Sequence, residues 1–154
     1  MRVSVTAEAA VEPTEDEAKV ERALLKLFPS TRIERIPTQE GSVILRVHGD
    51  GLDFLSNLRS LIRQERIRSA ARTILIRSAY EGNRIRIYLN KQAAFMGRVS
   101  FCAPVGESPH GPVSIQIESE DLQSVVDFLA RLPAQDSNPE LMQRRRRFPY
   151  PEEE

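Results

Sequence analysis

A chain of 154 residues with a single cysteine, Cys102, cannot carry an internal disulfide framework, so ordinary packing has to hold it together. Long apolar runs are missing too. Nothing approaches the roughly 20 residues of a spanning helix, and Met1 to Val5 opens on alternation rather than on a secretory core. A membrane span is excluded on that basis, and a soluble cytoplasmic chain is expected. Only two histidines occur, His48 and His110, and no Cys, His or carboxylate spacing fits a metal; no cofactor is expected. Gly49-Asp50-Gly51 lacks the lysine and the helix signature of a phosphate loop. The chain also lacks an excess of either charge, since 22 Lys and Arg balance 22 Asp and Glu. Taken whole, neutrality argues against a strongly basic nucleic-acid protein.

Counted by segment, the balance dissolves. Residues 1–58 carry net −3, residues 59–98 net +8, residues 99–143 net −6 and residues 144–154 net +1. The basic block holds Arg59, Arg63, Arg66, Arg68, Arg72, Arg77, Arg84, Arg86, Lys91 and Arg98 against Glu65 and Glu81. Nine of those ten cations are arginine, whose planar fork matches phosphate.

Hydrophobic periodicity places the elements. Val3, Val5, Ala7, Ala9 and Val11 alternate as in a half-buried strand. Thr14 and Glu17 have the spacing of a capping box, opening a helix to about Phe28 whose stripe is Val20, Ala23, Leu24, Leu27 and Phe28. Strands are expected over Ile33 to Ile36 and Val43 to Val47, with the turn at Pro37 to Gly41. Leu55, Leu58, Leu61 and Ile62 form one helical stripe, and Ile67, Ala70, Ala71, Ile74 and Leu75 a second. One bent helix or two helices meeting near Gln64 to Arg66 would fit. Arg59, Arg63 and Arg66 share a helix face, as do Arg68 and Arg72, forming either an RNA-facing surface or a solvated one. Arg84 to Leu89 reads as a strand with Ile85, Ile87 and Leu89 inward and Arg84, Arg86 and Tyr88 outward. Its outer face combines cations with one aromatic, as single-stranded RNA surfaces do. Val99 to Phe101 and Val113 to Ile117 look like further strands. Ser119 is expected to cap a last helix with stripe Leu122, Val125, Val126 and Leu129.

Pairing Cys102 or Ser108 with His110 would set a nucleophile beside a base, but no third orienting group or elbow motif accompanies them. No catalytic residue is assigned; Cys102 reads as a small buried hydrophobe. Asn90 to Gly97 is open to two readings. Asn90, Lys91 and Gln92 could form a base-reading corner at a strand end, or Asn90 and Gln92 could bond their own backbone while Ala93 to Met96 enter the core. Arg144 to Arg147, flanked by Phe148 and Tyr150, fits a basic arm or a solvated tail.

The ordered run Arg63-Gln64-Glu65-Arg66-Ile67, Ala70-Ala71-Arg72, Gly82-Asn83-Arg84, Tyr88-Leu89-Asn90-Lys91-Gln92-Ala93-Ala94 and Ser100-Phe101-Cys102 resembles an uncharacterised archaeal protein family. Pro13 to Asp16, Gly97, Glu107 to Pro109 and Gly111-Pro112 extend the likeness across residues 1–132. That family is grouped with predicted RNA-binding, exosome-associated proteins. Its fold is similar to that of a large-subunit ribosomal protein that binds the smallest rRNA of the subunit. The resemblance therefore implies an RNA partner and supplies no catalytic residues.

The expectation is an α+β domain over residues 1–132, a two-layer sandwich of mostly antiparallel sheet with helices on one face, followed by a charged tail over residues 133–154. It would act as a non-catalytic RNA-binding or ribonucleoprotein-associated module. Arg63, Arg66, Arg72, Arg84, Arg86, Lys91 and Arg98 would meet phosphate, Tyr88 and Asn90 would approach bases, and Gln92 completes the RNA-binding set. The alternative is a protein-interaction module, with acidic and basic segments complementary between copies in a homodimer. The deciding question is spatial. If Arg63, Arg84 and Lys91 share a face away from Glu118 to Asp127, neutrality does not count against RNA; if the groups interleave, it does.

Overall fold

In the computed structural model, residues 1–29, 31–107 and 110–132 are described. The expected tail 133–154, with its arginine run, and Ser108-Pro109 lie outside them. Alternation in the first residues yields β1 (Val3–Val11), with Val3, Val5, Ala7, Ala9 and Val11 buried and their neighbours half-buried. α1 (Glu17–Leu27) follows. Its N-cap is Asp16, whose carboxylate accepts from the Ala18 N–H at 3.0 Å, not the expected Thr14. Glu17 is unavailable to complete a capping box, because Arg35 Nε donates to its carboxylate at 2.8 Å. β2 (Glu34–Pro37) and β3 (Val43–Asp50) come next, joined by a turn in which the Thr38 N–H donates to the Ser42 carbonyl at 2.9 Å.

A 3-10 turn (Leu52–Leu55) leads into α2 (Ser56–Gln64) and α3 (Arg68–Arg77). The two stripes thus belong to two helices, separated where Arg66 takes φ +60°. β4 (Ala79–Tyr80), β5 (Arg84–Leu89), α4 (Lys91–Phe95), β6 (Val113–Ser119) and α5 (Leu122–Ala130) complete the order. Two expectations need correcting here. Val99 to Phe101 is not a strand and contributes only an isolated bridge, Phe101 to Leu89. α5 is capped by Asp121, which accepts from the Ser124 N–H at 3.1 Å, while Ser119 ends β6 and accepts from the Asp121 N–H at 3.0 Å. Both are cap-forming types two positions apart, and pairing of Ser119 with Val3 keeps it in the strand.

The strands form one open sheet in the order β2-β3-β1-β6-β5-β4, with every neighbouring pair antiparallel. β1 lies at the centre, paired from Ser4↔Asp50 to Val11↔Val43 on one side and from Val3↔Ser119 to Ala9↔Val113 on the other. The five α-helices of the described residues belong to one layer, so the fold is the expected two-layer α+β arrangement. Val5, Ala7, Val47, Ile85, Ile87, Ile115 and Ile117 from the sheet meet Leu24, Leu27, Phe28, Leu58, Ile62, Leu75, Val125 and Leu129 from the helices, all buried. Each large side chain so buried stabilises the fold by about 1.5–3 kcal/mol. Among the described residues, no helix is long and apolar enough to cross a membrane, and no cluster of metal-ligating side chains forms.

Phe54 shows how tightly the helix-side layer meets β3. Its ring stacks on Phe28 at 4.9 Å between centroids and lies across Gly49, where an added Cβ would fall 2.0 Å from the ring. Gly49→Ala should therefore lower the unfolding free energy by about 1–3 kcal/mol, the usual range for overpacking. A urea midpoint equal to that of the parent chain would show that the ring is free to move aside.

Candidate functional site

The antiparallel register brings opposite charges together on the uncovered face of the sheet. Arg46 Nε lies 2.6 Å from Glu8 on β1, and its Nη1 lies 3.9 Å from Glu34 on β2. Arg84 bridges Glu81 at 3.4 Å and its cross-strand neighbour Glu118 at 3.8 Å. Arg86, opposite Gln116, donates from Nε to that amide oxygen at 3.2 Å and stands 5.5 Å from the centroid of Tyr80. His48 and Asp50 add a further 3.7 Å contact. On this face Arg46 and Arg84 alternate with carboxylates and, among the described residues, only Arg86 lacks one, so the positive field there is narrow.

Two cations of the expected RNA set are turned inward. Arg72, on α3, is 5% exposed and meets Asp127 of α5 at 2.9 Å. Lys91, the first residue of α4, is 4% exposed. Its Nζ donates to the carbonyls of Ala10 at 2.7 Å and His110 at 2.8 Å and lies 3.2 Å from the Glu15 carboxylate. Asn90 caps α4, its side-chain oxygen accepting from the Ala93 N–H at 2.8 Å. The Asn90 to Gly97 segment is thus a compact self-bonded turn. Gln92 is exposed on it, and Met96, which the turn reading put in the core, is 68% exposed. Arg98 is exposed but forks onto Glu65 at 3.1 and 3.2 Å, and those hydrogen bonds hold the Glu65 carboxyl below its usual range. Tyr88 is half-buried beside Phe101 and Cys102.

Arg63 and Arg66, the remaining cations of the expected set, lie on the helical side. A cleft of about 430 Å³ opens between α2, the start of α3 and α5, lined by Leu52, Arg59, Arg63, Arg68, Ser124, Asp127, Phe128, Leu129 and Arg131. Arg59 and Arg63 sit one turn apart on α2. The Arg59 guanidinium lies 4.9 Å from the Phe128 ring centroid, a stacked cation–π contact. Arg68 donates to the Arg131 carbonyl at 3.3 Å. Arg63 and Arg66 are exposed and have no ion-pair partner among the described residues. Among the described residues, the one carboxylate lining the cleft is Asp127, already held by Arg72.

The structure thus groups Arg63 with Arg59 and Arg68, places Arg66 at the adjoining α2–α3 corner, and leaves Arg84, Arg86 and Tyr88 on the sheet side. Sequence reasoning marked Arg59 and Arg68 as face-forming without adding them to the site, and it missed Arg131 and Phe128. The available signal was Phe128 itself, an aromatic just off the Leu122, Val125, Val126, Leu129 stripe. Cys102 is partly buried, and burial first, with the Glu107 charge second, pushes its thiol up from the usual value. That weakens it as a nucleophile, because the thiolate is the reactive form.

A family model described as RNA binding matches residues 4–120 of the chain. A UPF0201 protein of Aeropyrum pernix is 41% identical over 131 residues, spanning 84% of this chain and 85% of that protein. Another from Metallosphaera sedula is 40% identical over 132 residues, spanning 84% and 87%. Among solved structures, the UPF0201 protein from Methanococcus jannaschii superposes with a TM-score of 0.73 at 28% identity, covering 84% of this chain and 93% of that one.

Two expected outcomes follow from the buried groups. Arg72→Met should lower the unfolding free energy by about 3 kcal/mol, since it takes from the largely buried Asp127 carboxylate the guanidinium 2.9 Å away, whereas Arg72→Met combined with Asp127→Leu should recover most of that loss in urea titration. A single substitution milder than the pair would contradict the assignment. Cys102 should alkylate with iodoacetamide at pH 7.5 more slowly in the folded chain than in urea; equal rates would show an unperturbed, open thiol.

Proposed function

The chain belongs to the family described as RNA binding, together with the archaeal UPF0201 proteins, and we propose that it is a non-catalytic RNA-binding module that grips phosphates from its helical side. The observation that carries this reading is the grouping of Arg59, Arg63 and Arg68 around one cleft in which the one carboxylate among the described residues, Asp127, is neutralised from behind by Arg72. Arginine forks on a concave surface, without competing acids, are suited to phosphate oxygens. Arg66 extends the cationic rim at the α2–α3 corner, and Arg131 does so at the end of α5.

The site expected from sequence is narrowed by this proposal. Arg72, Lys91, Asn90 and Arg98 are engaged within the fold, as caps or ion pairs, and contribute by holding it. Arg84, Arg86, Tyr88 and Gln92 become secondary contacts. The self-association alternative draws less support. Its acidic and basic segments already meet within one copy, through Arg84 with Glu118 and Arg72 with Asp127.

RNA affinity measured against salt tests the proposal. Substituting Arg63→Ala and Arg68→Ala together should weaken binding roughly tenfold to a hundredfold and reduce the salt slope by about 1.5. Arg84→Ala with Arg86→Ala should do less on both counts. The reverse ranking would move the interface to the sheet, and the absence of salt-dependent RNA binding would overturn the reading.

A further inference from the structure

The cleft differs from a track along which a strand would pass. It is a concavity of about 430 Å³, within the range of pockets that enclose one small ligand, yet three arginines of α2 and α3 line it, with Arg131 at its edge. An internal phosphodiester carries a single negative charge, which underuses such a cluster. A terminal phosphate monoester carries about −1.5 to −2 and offers three strong acceptor oxygens. Its geometry suits several guanidinium forks converging from different sides.

Two further features favour a dense anion. Arg59 is laid against the Phe128 ring at 4.9 Å, so its plane is restrained before any ligand arrives and less side-chain entropy is lost on binding. Asp127 would repel an anion if its charge were open, but Arg72 sits 2.9 Å away on the buried side. The positive potential in the cleft therefore comes from the outward arginines.

We infer that this cleft recognises a terminal phosphate group, so that the chain binds RNA by a phosphorylated end and not along its length. This inference rests on the RNA reading above and names the part of the RNA that the same site takes. A free nucleotide would present the same phosphate chemistry, and the test separates the two sources.

One 12-nucleotide RNA would be prepared with hydroxyl termini, a 5′-monophosphate, a 5′-triphosphate or a 3′-monophosphate, and titrated against the full chain at fixed salt. Binding at least about tenfold tighter for a phosphorylated end is expected, from one added charge-assisted contact. Arg63→Ala with Arg68→Ala should abolish that difference, while Arg77→Ala, an exposed arginine of α3 outside the cleft lining, should retain it. Circular dichroism of each variant checks that the fold is intact. Equal affinity for all four RNAs would overturn end recognition while leaving RNA binding in place. If ATP and pyrophosphate bind with the same Arg63 and Arg68 dependence and no RNA binds, the phosphate chemistry stands with a free nucleotide as its source, and the RNA reading falls. Binding of neither class would overturn both.

Discussion

The ion pair between Arg72 and Asp127 joins α3 to α5 beneath the surface, and the candidate interface depends on it. With 6% and 16% of the two side chains exposed, the pair is largely desolvated. Its net worth to stability is modest, but loss of either member removes the main opposite charge facing the other inside the fold. Its second effect is electrostatic. By occupying Asp127 from behind, Arg72 removes the one carboxylate that would otherwise oppose Arg59, Arg63 and Arg68 in the cleft. One cation inside the fold thus leaves three outside it with no open carboxylate beside them among the described residues.

This arrangement explains why a net charge of zero says little about partners. The +8 segment is divided by the fold. Arg84, Arg72 and Lys91 interleave with Glu118, Asp127 and Glu15, and Arg98 with Glu65. Those cations are matched by carboxylates, and on the open face of the sheet Arg46 and Arg84 are paired while Arg86 rests on the Gln116 amide, which limits the long-range field there. The α2–α3 arginines escape this cancellation because α5 presents them with Phe128 and Ser124, and with an Asp127 already spoken for.

Val3 to Val11, Ile85 to Leu89 and Val113 to Ile117 were legible as strands because a period of two with one buried face leaves few alternatives. β4 was not, since its two residues have no pattern of their own and are defined only by pairing with Arg84 and Ile85. The same limit applied to the site. Arg72 and Arg68 are four residues apart on one helix and look alike in sequence, yet the docking of α5 buries the first and leaves the second lining the cleft. Lys91 likewise reads as a surface cation until the carbonyls of Ala10 and His110, far from it in sequence, converge on its ammonium. Helix faces were readable one at a time; which face meets which helix was not, because it depends on long-range packing.

The central claim is that RNA lies against the helical side, at the cleft between α2, α3 and α5. Ultraviolet crosslinking of the full chain to RNA, followed by mass spectrometry of the crosslinked peptides, reads that placement directly. Adducts are expected in the peptides containing Arg59 to Arg68 and Phe128 to Arg131. Adducts confined to Tyr88 and its neighbours on β5 and β6, or none above background, would contradict it.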